Sequence, residues 1–541
     1  MNGGEVLVQT LLSRGVDTAF FVSGGTFITV MEAMSRVSNQ LRAVPVRLES
    51  SATFGAESYA ALARKPAAVF VTRAPGASNA TIGIHNAMQA SRPLVMFIGG
   101  IPGPLKGREA FQEIDYLQMF GPVAKSVLEV HSFDELAAVT ARAVDLSVSG
   151  RPGPVVVSVG RDILDGPDGA PSIPGPAAKP LSGPHPKAIE DVSERLRQAQ
   201  RPLLLAGEMV GWEGAHRSLE NLAEASGAGV VLAYRQQDVI DNLHPAYVGH
   251  LTLNRLKHVE RALDEADLVI SLGSRFDSVT THDYSFVREH WDLAMIHADA
   301  DVFTQWQPDV AVVSDCQPAM DALAAALSGF EPSAERLAWR DALHAEEAQF
   351  ANVDGIEVNG DVNLAQVLGH FRATVPDDTI VVSDAGTFGR WLHRFYPFSK
   401  PDSCLGPVSG AMGYGVPGGI GASLVAGGRP VFTFVGDGGF LMTGQEAATV
   451  AQEKLPLKII VCDNSAWGSI AVSAEKRFPG MEFGTRLESP DFTALGNGYG
   501  LASFRVTKTD EFPAALEGAL AVDGPALIHL KLDARDVSPY R

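Results

Sequence analysis

An α/β fold of three doubly wound parallel sheets is expected for this chain of 541 residues, and three features lead there. Short, wholly apolar runs alternate with stretches long enough for crossover helices, the pattern of strands buried on both faces. The runs fall into three groups, divided by a proline-rich segment and by a polar helical stretch. Glycine is frequent, with 54 residues against a usual share of ~7%, as tight turns and close backbone approaches to a ligand require.

In the first group, residues 67–72, 94–98 and 154–159 read as strands. Residues 166–186 hold seven prolines and four glycines without an apolar period and read as a linker. The second group has strands at 202–207, 229–232 and 267–273. The chain is then polar and helical over 331–350 and loop-like over 354–361. The third group starts with a strand at 379–384. Domains are therefore expected at 1–165, 187–330 and 360–541, with linkers at 166–186 and 331–359. The outer two share length and strand–helix rhythm, as related domains would.

Composition narrows the class. Asp and Glu number 63 against 43 Lys and Arg, a net charge of −20, so neither nucleic acid nor an anionic membrane is an expected partner. Three dispersed cysteines, Cys316, Cys404 and Cys462, exclude a disulfide framework and a cysteine zinc cluster. No apolar run is long enough to span a membrane. The first residues lack a basic segment followed by an apolar one, so a cytoplasmic enzyme is the expectation.

The chemistry concentrates in the third region. A strand at 431–435 runs into Gly436-Asp437-Gly438-Gly439, read as a turn only small residues permit, followed by helix over 443–452. The next strand, 457–462, ends at Asp463-Asn464. Asp437 and Asn464 thus sit at the carboxyl ends of consecutive parallel strands, where α/β sheets bind ligands. A carboxylate and an amide suit Mg²⁺, and glycine N–H groups at a helix start suit a diphosphate. The bland alternative is a plain strand–turn–helix with a surface Asp.

With this Gly-Asp-Gly and Asn464 after 25 intervening residues, the chain resembles the thiamine diphosphate enzymes of the acetolactate synthase and pyruvate decarboxylase type. Their Asn-Asn pair stands here as Asp463-Asn464. The resemblance implies Mg²⁺ held by the side chains of Asp437 and Asn464 and by the Ala466 carbonyl, with Gly438, Gly439, Trp467 and Gly468 beside the cofactor. It extends to Glu49, whose carboxylate would bond the aminopyrimidine ring, and to Pro75 and Asn79 in the stretch Arg73-Ala74-Pro75-Gly76-Ala77-Ser78-Asn79. Gln112 would stand by the reacting thiazolium and Gly25 in the substrate-side loop. Gly410 would accept from the 4′-amino group, and Met412 would prop the cofactor into a bent shape. Gly386, Thr387 and Phe388 mark the diphosphate segment, with Thr387-Phe388 replacing the family's Gln-His pair. Taken alone, Glu49 reads as a helix-start carboxylate, Gln112 as a surface amide and Met412 as core packing.

The same resemblance implies a pyrimidine-binding first domain, a central domain and a diphosphate-binding third domain. Sites would lie between the subunits of a homodimer or dimer of dimers, with Glu49 from one subunit and Asp437 and Asn464 from the other. The implied activity decarboxylates a 2-oxoacid and joins the fragment to a carbonyl acceptor. A 2-oxoacid decarboxylase or C–C lyase without ligation, an FAD-dependent pyruvate oxidase type and a scaffold paralogue are the other readings. Glu49, Met412, Asp437 and Asn464 together speak against the scaffold, and Glu49 against a glyoxylate carboligase. Ser473 stands where the family has an acceptor-selecting Trp, which leaves the acceptor unassigned. Gly273-Ser274-Arg275-Phe276-Asp277 resembles a segment of the FAD-carrying acetolactate synthases, but Ser278-Val279-Thr280 stands in place of the Asp-Arg that comes next in them. Gly207-Glu208 also lacks a full Gly-x-Gly-x-x-Gly, so FAD or a vestigial nucleotide fold both stay open. His244 reads as part of a capped turn.

Overall fold

The computed structural model describes every residue except 167, 168, 170, 171, 179, 287 and 541. Five of these belong to the expected 166–186 linker, and that part of it lies outside the described residues. The described residues of 166–185 form neither helix nor strand, and a helix begins at Pro186. Among the described residues, no helix is long and apolar enough to cross a membrane.

Among the described residues, eighteen strands form three wholly parallel six-stranded sheets. The first contains β1 (Thr18–Phe21), β2 (Arg42–Pro45), β3 (Ala67–Thr72), β4 (Leu94–Gly100), β5 (Ser126–Val130) and β6 (Pro154–Gly160), in the order β2-β1-β3-β4-β6-β5. The second contains β7 (Pro202–Ala206), β8 (Gly229–Leu232), β9 (Tyr247–His250), β10 (Leu268–Leu272), β11 (Asp292–His297) and β12 (Val310–Val313), in the order β12-β11-β10-β7-β8-β9. The third contains β13 (Ile380–Ser383), β14 (Cys404–Leu405), β15 (Val431–Gly436), β16 (Leu457–Asp463), β17 (Ala502–Val506) and β18 (Ala526–Lys531), in the order β14-β13-β15-β16-β18-β17.

Counted from its own first strand, the third sheet repeats the order of the first. The central sheet has the dinucleotide-fold order, reversing direction between β7 and β10. The strands expected from apolar runs are the central ones, buried on both faces. Those without such a run are mostly short edge strands: β14 has two residues, and β12 alternates buried with exposed. The polar stretch after residue 331 forms the helix Ala334–Phe350, which buries Arg336, Leu343 and Glu347 against the central domain.

The first and third domains meet through corresponding elements. The helix Glu49–Ala63 follows β2, and the helix Gly415–Val425 follows β14, the second strand of its own sheet. A Cβ on Gly421 would overlap the Gly55 carbonyl and Ser58 Oγ, so the two backbones are in contact. Ser58 Oγ donates to the Gly418 carbonyl at 2.8 Å. Tyr414 Oη donates to Glu57 Oε2 at 2.5 Å, and the Phe54 and Tyr414 rings pack edge to face 5.4 Å apart. Apolar side chains from both domains form one cluster around this crossing. The third corner is tied by Arg64, which pairs with Asp402 at 2.7 Å and donates to the Gly211 carbonyl at 3.2 Å.

Two outcomes are expected. Gly421→Ala must push these helices apart and should cost roughly 1–3 kcal/mol, read as a lowered midpoint in urea unfolding. Burial pushes the Glu57 carboxyl up to about 7 from 4.5. A carboxyl raised in this way binds its proton more tightly folded than unfolded. Its contribution to stability is therefore lost as pH rises from about 4.5 towards 7. Glu57→Gln keeps an acceptor for Tyr414 and removes the charge. Its melting temperature should fall less than the parent's between about pH 5 and pH 8, a difference of roughly 1–3 kcal/mol measurable by calorimetry.

Candidate active site

β15 and β16 run parallel with Gly436 opposite Cys462. This register sets Asp437 beside Asp463, with Asn464 one residue further on. β13 pairs with the other side of β15, and Gly386, Thr387 and Phe388 come after it, Phe388 opening the helix Phe388–Phe395. The ends of these strands enclose a cavity of about 270 Å³. Gly386, Thr387, Phe388, Gly410 and Met412 line one part of it. Asp437, Gly438, Gly439, Asn464, Ala466, Trp467 and Gly468 line another. Every candidate residue of the third region therefore reaches one space.

The glycines work differently from expectation. No turn separates β15 from its helix: Asp437 opens Asp437–Thr443 at once, and none of residues 436–439 has a positive φ. The glycines are needed for closeness instead. A Cβ on Gly438 would overlap the Trp467 indole, and one on Gly439 would sit 2.6 Å from Asp384 Oδ2. Buried Asp384 organises the opposite wall: its carboxylate accepts the N–H groups of Gly413 at 3.0 Å and Tyr414 at 3.2 Å. The loop carrying Met412 is thus fastened to the end of β13. Asn86 of the first domain holds its other end, accepting from Ser409 N–H at 3.2 Å and Ser409 Oγ at 2.8 Å.

The two neighbouring carboxylates are treated unequally. Burial alone would raise the Asp463 carboxyl, but hydrogen bonds from His529, Ser489 and Lys531 hold it well below the usual carboxylate range. His529 Nε2 and Lys531 Nζ each lie 2.9 Å away, and Ser489 Oγ lies 2.6 Å away. Asp437 accepts from neutral donors, the Gly438 N–H at 2.9 Å and Ser489 Oγ at 3.4 Å, while the Asp463 carboxyl lies beside it. Burial, partly offset by that N–H and reinforced by Asp463, pushes the Asp437 carboxyl up to about 6. A hard dication beside Asp437 would stabilise this buried charge, and a carboxylate, an amide oxygen and phosphate oxygens are the donors Mg²⁺ takes. Asn464 accepts the Ala466 N–H at 3.2 Å, and Trp467 N–H donates to the Thr485 carbonyl at 2.8 Å, which fixes the strand-end loop. These residues fit a magnesium diphosphate.

None of the five first-region candidates lines this cavity. They gather at the carboxyl edge of their own sheet, on loops after successive parallel strands. Gly25 is exposed and opens a short 3₁₀ turn after β1. Half-buried Glu49 begins the helix after β2, and its Oε2 accepts from Asn79 Nδ2 at 2.9 Å. Pro75 and Asn79 are exposed on the helix Arg73–Gln89 after β3. Gly76 leaves room for the glutamate, since a Cβ there would stand 3.1 Å from Glu49 Oε1. Gln112, with φ of 63°, lies on the loop after β4, which Arg73 Nη1 holds through the Phe111 carbonyl at 3.1 Å. The candidate residues thus form two separate groups, two candidate half-sites.

The central sheet's reversal point is filled by side chains of the described residues where a nucleotide phosphate would sit. Gly207 leads into the helix Glu208–Glu213, whose first side chain is buried. Arg275 Nε donates to Glu208 Oε1 at 2.8 Å, and Arg275 Nη2 to the Gln89 carbonyl at 2.6 Å. Against the cost of burial, Arg275 and then His297 hold the Glu208 carboxyl below its ordinary value. A dinucleotide would bring its diphosphate against a carboxylate, and the two arginines near it are already engaged, Arg275 with Glu208 and the Gln89 carbonyl and Arg151 with Ser91. These residues do not fit FAD. His244 accepts the Ala246 N–H at 3.1 Å and caps a turn.

Further residues that the sequence motifs do not mark also line the cavity. Arg390 and Trp391 follow Thr387 at helical spacing, which could have pointed to them. Tyr234, Arg235 and Thr252 reach the same cavity from the central domain. Arg235, with φ of 60°, donates to the Ser383 and Asp384 carbonyls at 3.3 Å each. No motif links residues so far apart in the chain. Ser473 is exposed on the helix Gly468–Arg477 and donates to the Ser469 carbonyl at 3.0 Å.

Comparison with known proteins agrees with this geometry. The family model for the thiamine pyrophosphate enzyme N-terminal TPP binding domain matches residues 1–119, the central-domain model residues 189–323, and the C-terminal TPP binding domain model residues 384–530. The chain is 29% identical to acetolactate synthase isozyme 2 large subunit of Escherichia coli (strain K12), over 98% of this chain and 96% of that one. It is 30% identical to the acetolactate synthase large subunit of Corynebacterium glutamicum, over 98% and 86%. The probable acetolactate synthase large subunit of Methanocaldococcus jannaschii is 28% identical over 100% and 93%. With all three domains matched and relatives aligned along most of their length, the chain belongs to the thiamine pyrophosphate-dependent enzymes, in the acetolactate synthase-like family.

Proposed function

We propose that this enzyme is a thiamine diphosphate- and Mg²⁺-dependent carboligase, which decarboxylates a 2-oxoacid and joins the fragment to a carbonyl acceptor. The observation that carries the reading is the pair of half-sites. One gathers an under-compensated carboxylate, an amide and glycine amides in a cavity, and the other presents a glutamate oriented by Asn79. Neither is complete alone. A homodimer, or a dimer of dimers, brings the glutamate of one subunit to the cavity of the other.

Bound there, the cofactor supplies a carbon acid that becomes the nucleophile towards the 2-oxoacid carbonyl and takes up the electrons released with CO₂. Asp437, Asn464 and the Ala466 carbonyl would hold Mg²⁺, and the Gly438 and Gly439 amides at the start of their helix would bind diphosphate oxygens. The Thr387 and Phe388 side of the cavity would close over the same group. Met412, on a loop fastened by Asp384, would set its bend. Glu49 would hold a proton at the pyrimidine ring nitrogen and so favour the tautomer in which the opposite nitrogen, having given one up, can accept a proton, as a general acid–base group does. Holding these groups in register is a proximity effect.

The exposed hydroxymethyl of Ser473 supports a second reading, since it supplies no ring to pack against an acceptor. Plain decarboxylation, with a proton in place of the acceptor, is then the competing outcome.

Incubation with Mg²⁺, thiamine diphosphate and pyruvate decides between them. Acetolactate is the expected product; acetaldehyde alone would assign a decarboxylase, and oxygen consumption an oxidase. Glu49→Gln should lower turnover at least about a hundredfold with an unchanged melting temperature, and full turnover in that variant would remove Glu49 from the mechanism. The Glu208–Arg275 pair leads to a further expectation: the purified enzyme turns over without added flavin and retains none after dialysis against FAD, as read by absorbance.

A further inference from the structure

The backbone just ahead of Glu49 is held by another domain. The N–H groups of Arg47 and Leu48 both donate to Glu446 Oε1, at 2.9 and 3.1 Å. Glu446 closes the 3₁₀ turn Gly444–Glu446 of the third domain and is fully buried. Its Oε2 accepts from Thr449 Oγ1. The Arg47 guanidinium completes the clamp, donating to Thr449 Oγ1 at 2.7 Å and to Gln452 Oε1 at 2.8 Å. Leu48, the N-cap of the helix that Glu49 begins, has no side-chain hydrogen bond to offer that helix. A carboxylate buried this deeply is costly unless its lone pairs are met, and here they are met by the two amides that set the direction of the chain into Glu49.

We propose that Glu446 is a positioning residue for Glu49: by fixing the peptide units of Arg47 and Leu48, it aims the Glu49 carboxylate at the pyrimidine ring in the partner's site. The proposal rests on the role proposed for Glu49. Glu446 also stands one short helix and one turn beyond Asp437. A single continuous segment therefore connects the metal-binding corner of one site with the glutamate that serves the other.

A mere interdomain fastener would behave differently, and Arg64→Met supplies that control by breaking the Arg64–Asp402 pair. Hydrogen–deuterium exchange by mass spectrometry, on enzyme without cofactor, should show the amides of Arg47 and Leu48 exchanging at least about tenfold faster in Glu446→Ala. They should stay within about threefold of the parent in Glu446→Gln, which keeps an acceptor oxygen, and be unchanged in Arg64→Met. With cofactor and pyruvate, Glu446→Ala should lower kcat about tenfold or more at a nearly constant KM, and Glu446→Gln should restore most of it. Added to Glu49→Gln, Glu446→Ala should cause no further loss, because the two act as one unit. Parent-like exchange at Arg47 and Leu48 in Glu446→Ala, or losses that multiply in the double variant, would overturn the proposal. Where Glu446→Ala does not fold, Glu446→Asp, too short to reach both amides, takes its place under the same criteria. Full turnover in Glu49→Gln alone would overturn the Glu49 reading and this proposal together. Full turnover in Glu446→Ala beside an inactive Glu49→Gln would overturn this proposal only.

Discussion

Where Gly55 meets Gly421, two helices approach so closely that no side chain fits between them, and most of the candidate site is arranged from this crossing. Small residues let backbones touch, and the Ser58–Gly418 hydrogen bond then becomes available. The packed partners are the same element of two domains with the same strand order. One helix opens with Glu49, and the other comes directly after the loop carrying Gly410 and Met412. A shift at the crossing would therefore be passed rigidly to both half-sites, because packed helices move as bodies rather than deforming.

Buried carboxylates hold this arrangement in register, and each is met in its own way. Asp384 is satisfied by backbone amides, Glu57 by the Tyr414 phenol, Glu446 by the amides before Glu49, and Asp463 by a histidine, a lysine and a serine. The last case explains how an aspartate can stand where the family usually has asparagine. The Lys531 ammonium on β18 balances the charge that the substitution adds, and hydrogen bonds from His529 and Ser489 occupy the oxygens of Asp463. Asp437 is the least compensated of them, with the Asp463 carboxyl beside it, and the cavity opens there.

Much of this is legible in the sequence, for reasons that differ by element. The central strands announce themselves because residues buried on both faces are all apolar, as in 94–98 and 457–462. Asp437 and Asn464 are legible because consecutive parallel strands place their carboxyl ends side by side, so a spacing along the chain becomes a neighbourhood in space. Short edge strands such as β14 give no comparable signal, as two residues cannot show a period. The need for the glycines of 436–439 is visible in the sequence, but its reason is not. A turn and a close contact ask for the same residue, and the Trp467 indole over Gly438 and Asp384 against Gly439 tell them apart. Arg235, Ser489 and Glu446 act between segments far apart in the chain, and one-dimensional patterns do not register such contacts.

The central domain shows the same economy. Its strand order creates a crevice between β7 and β10, the place where this topology ordinarily receives a nucleotide. Here Glu208 occupies the phosphate end of that crevice and receives hydrogen bonds from Arg275 and from Ser91 of the first domain, at 2.8 and 3.3 Å. Arg151 Nε, also of the first domain, bonds Ser91 at 2.9 Å, and Arg275 reaches back to the Gln89 carbonyl. An anion and two arginines thus bridge the domains where a diphosphate would otherwise require cations of its own. The crevice serves as a joint, and it fastens the end of the same helix, Arg73–Gln89, that carries Pro75 and Asn79 beside Glu49. What this topology ordinarily spends on a second ligand goes here into holding the first half-site still.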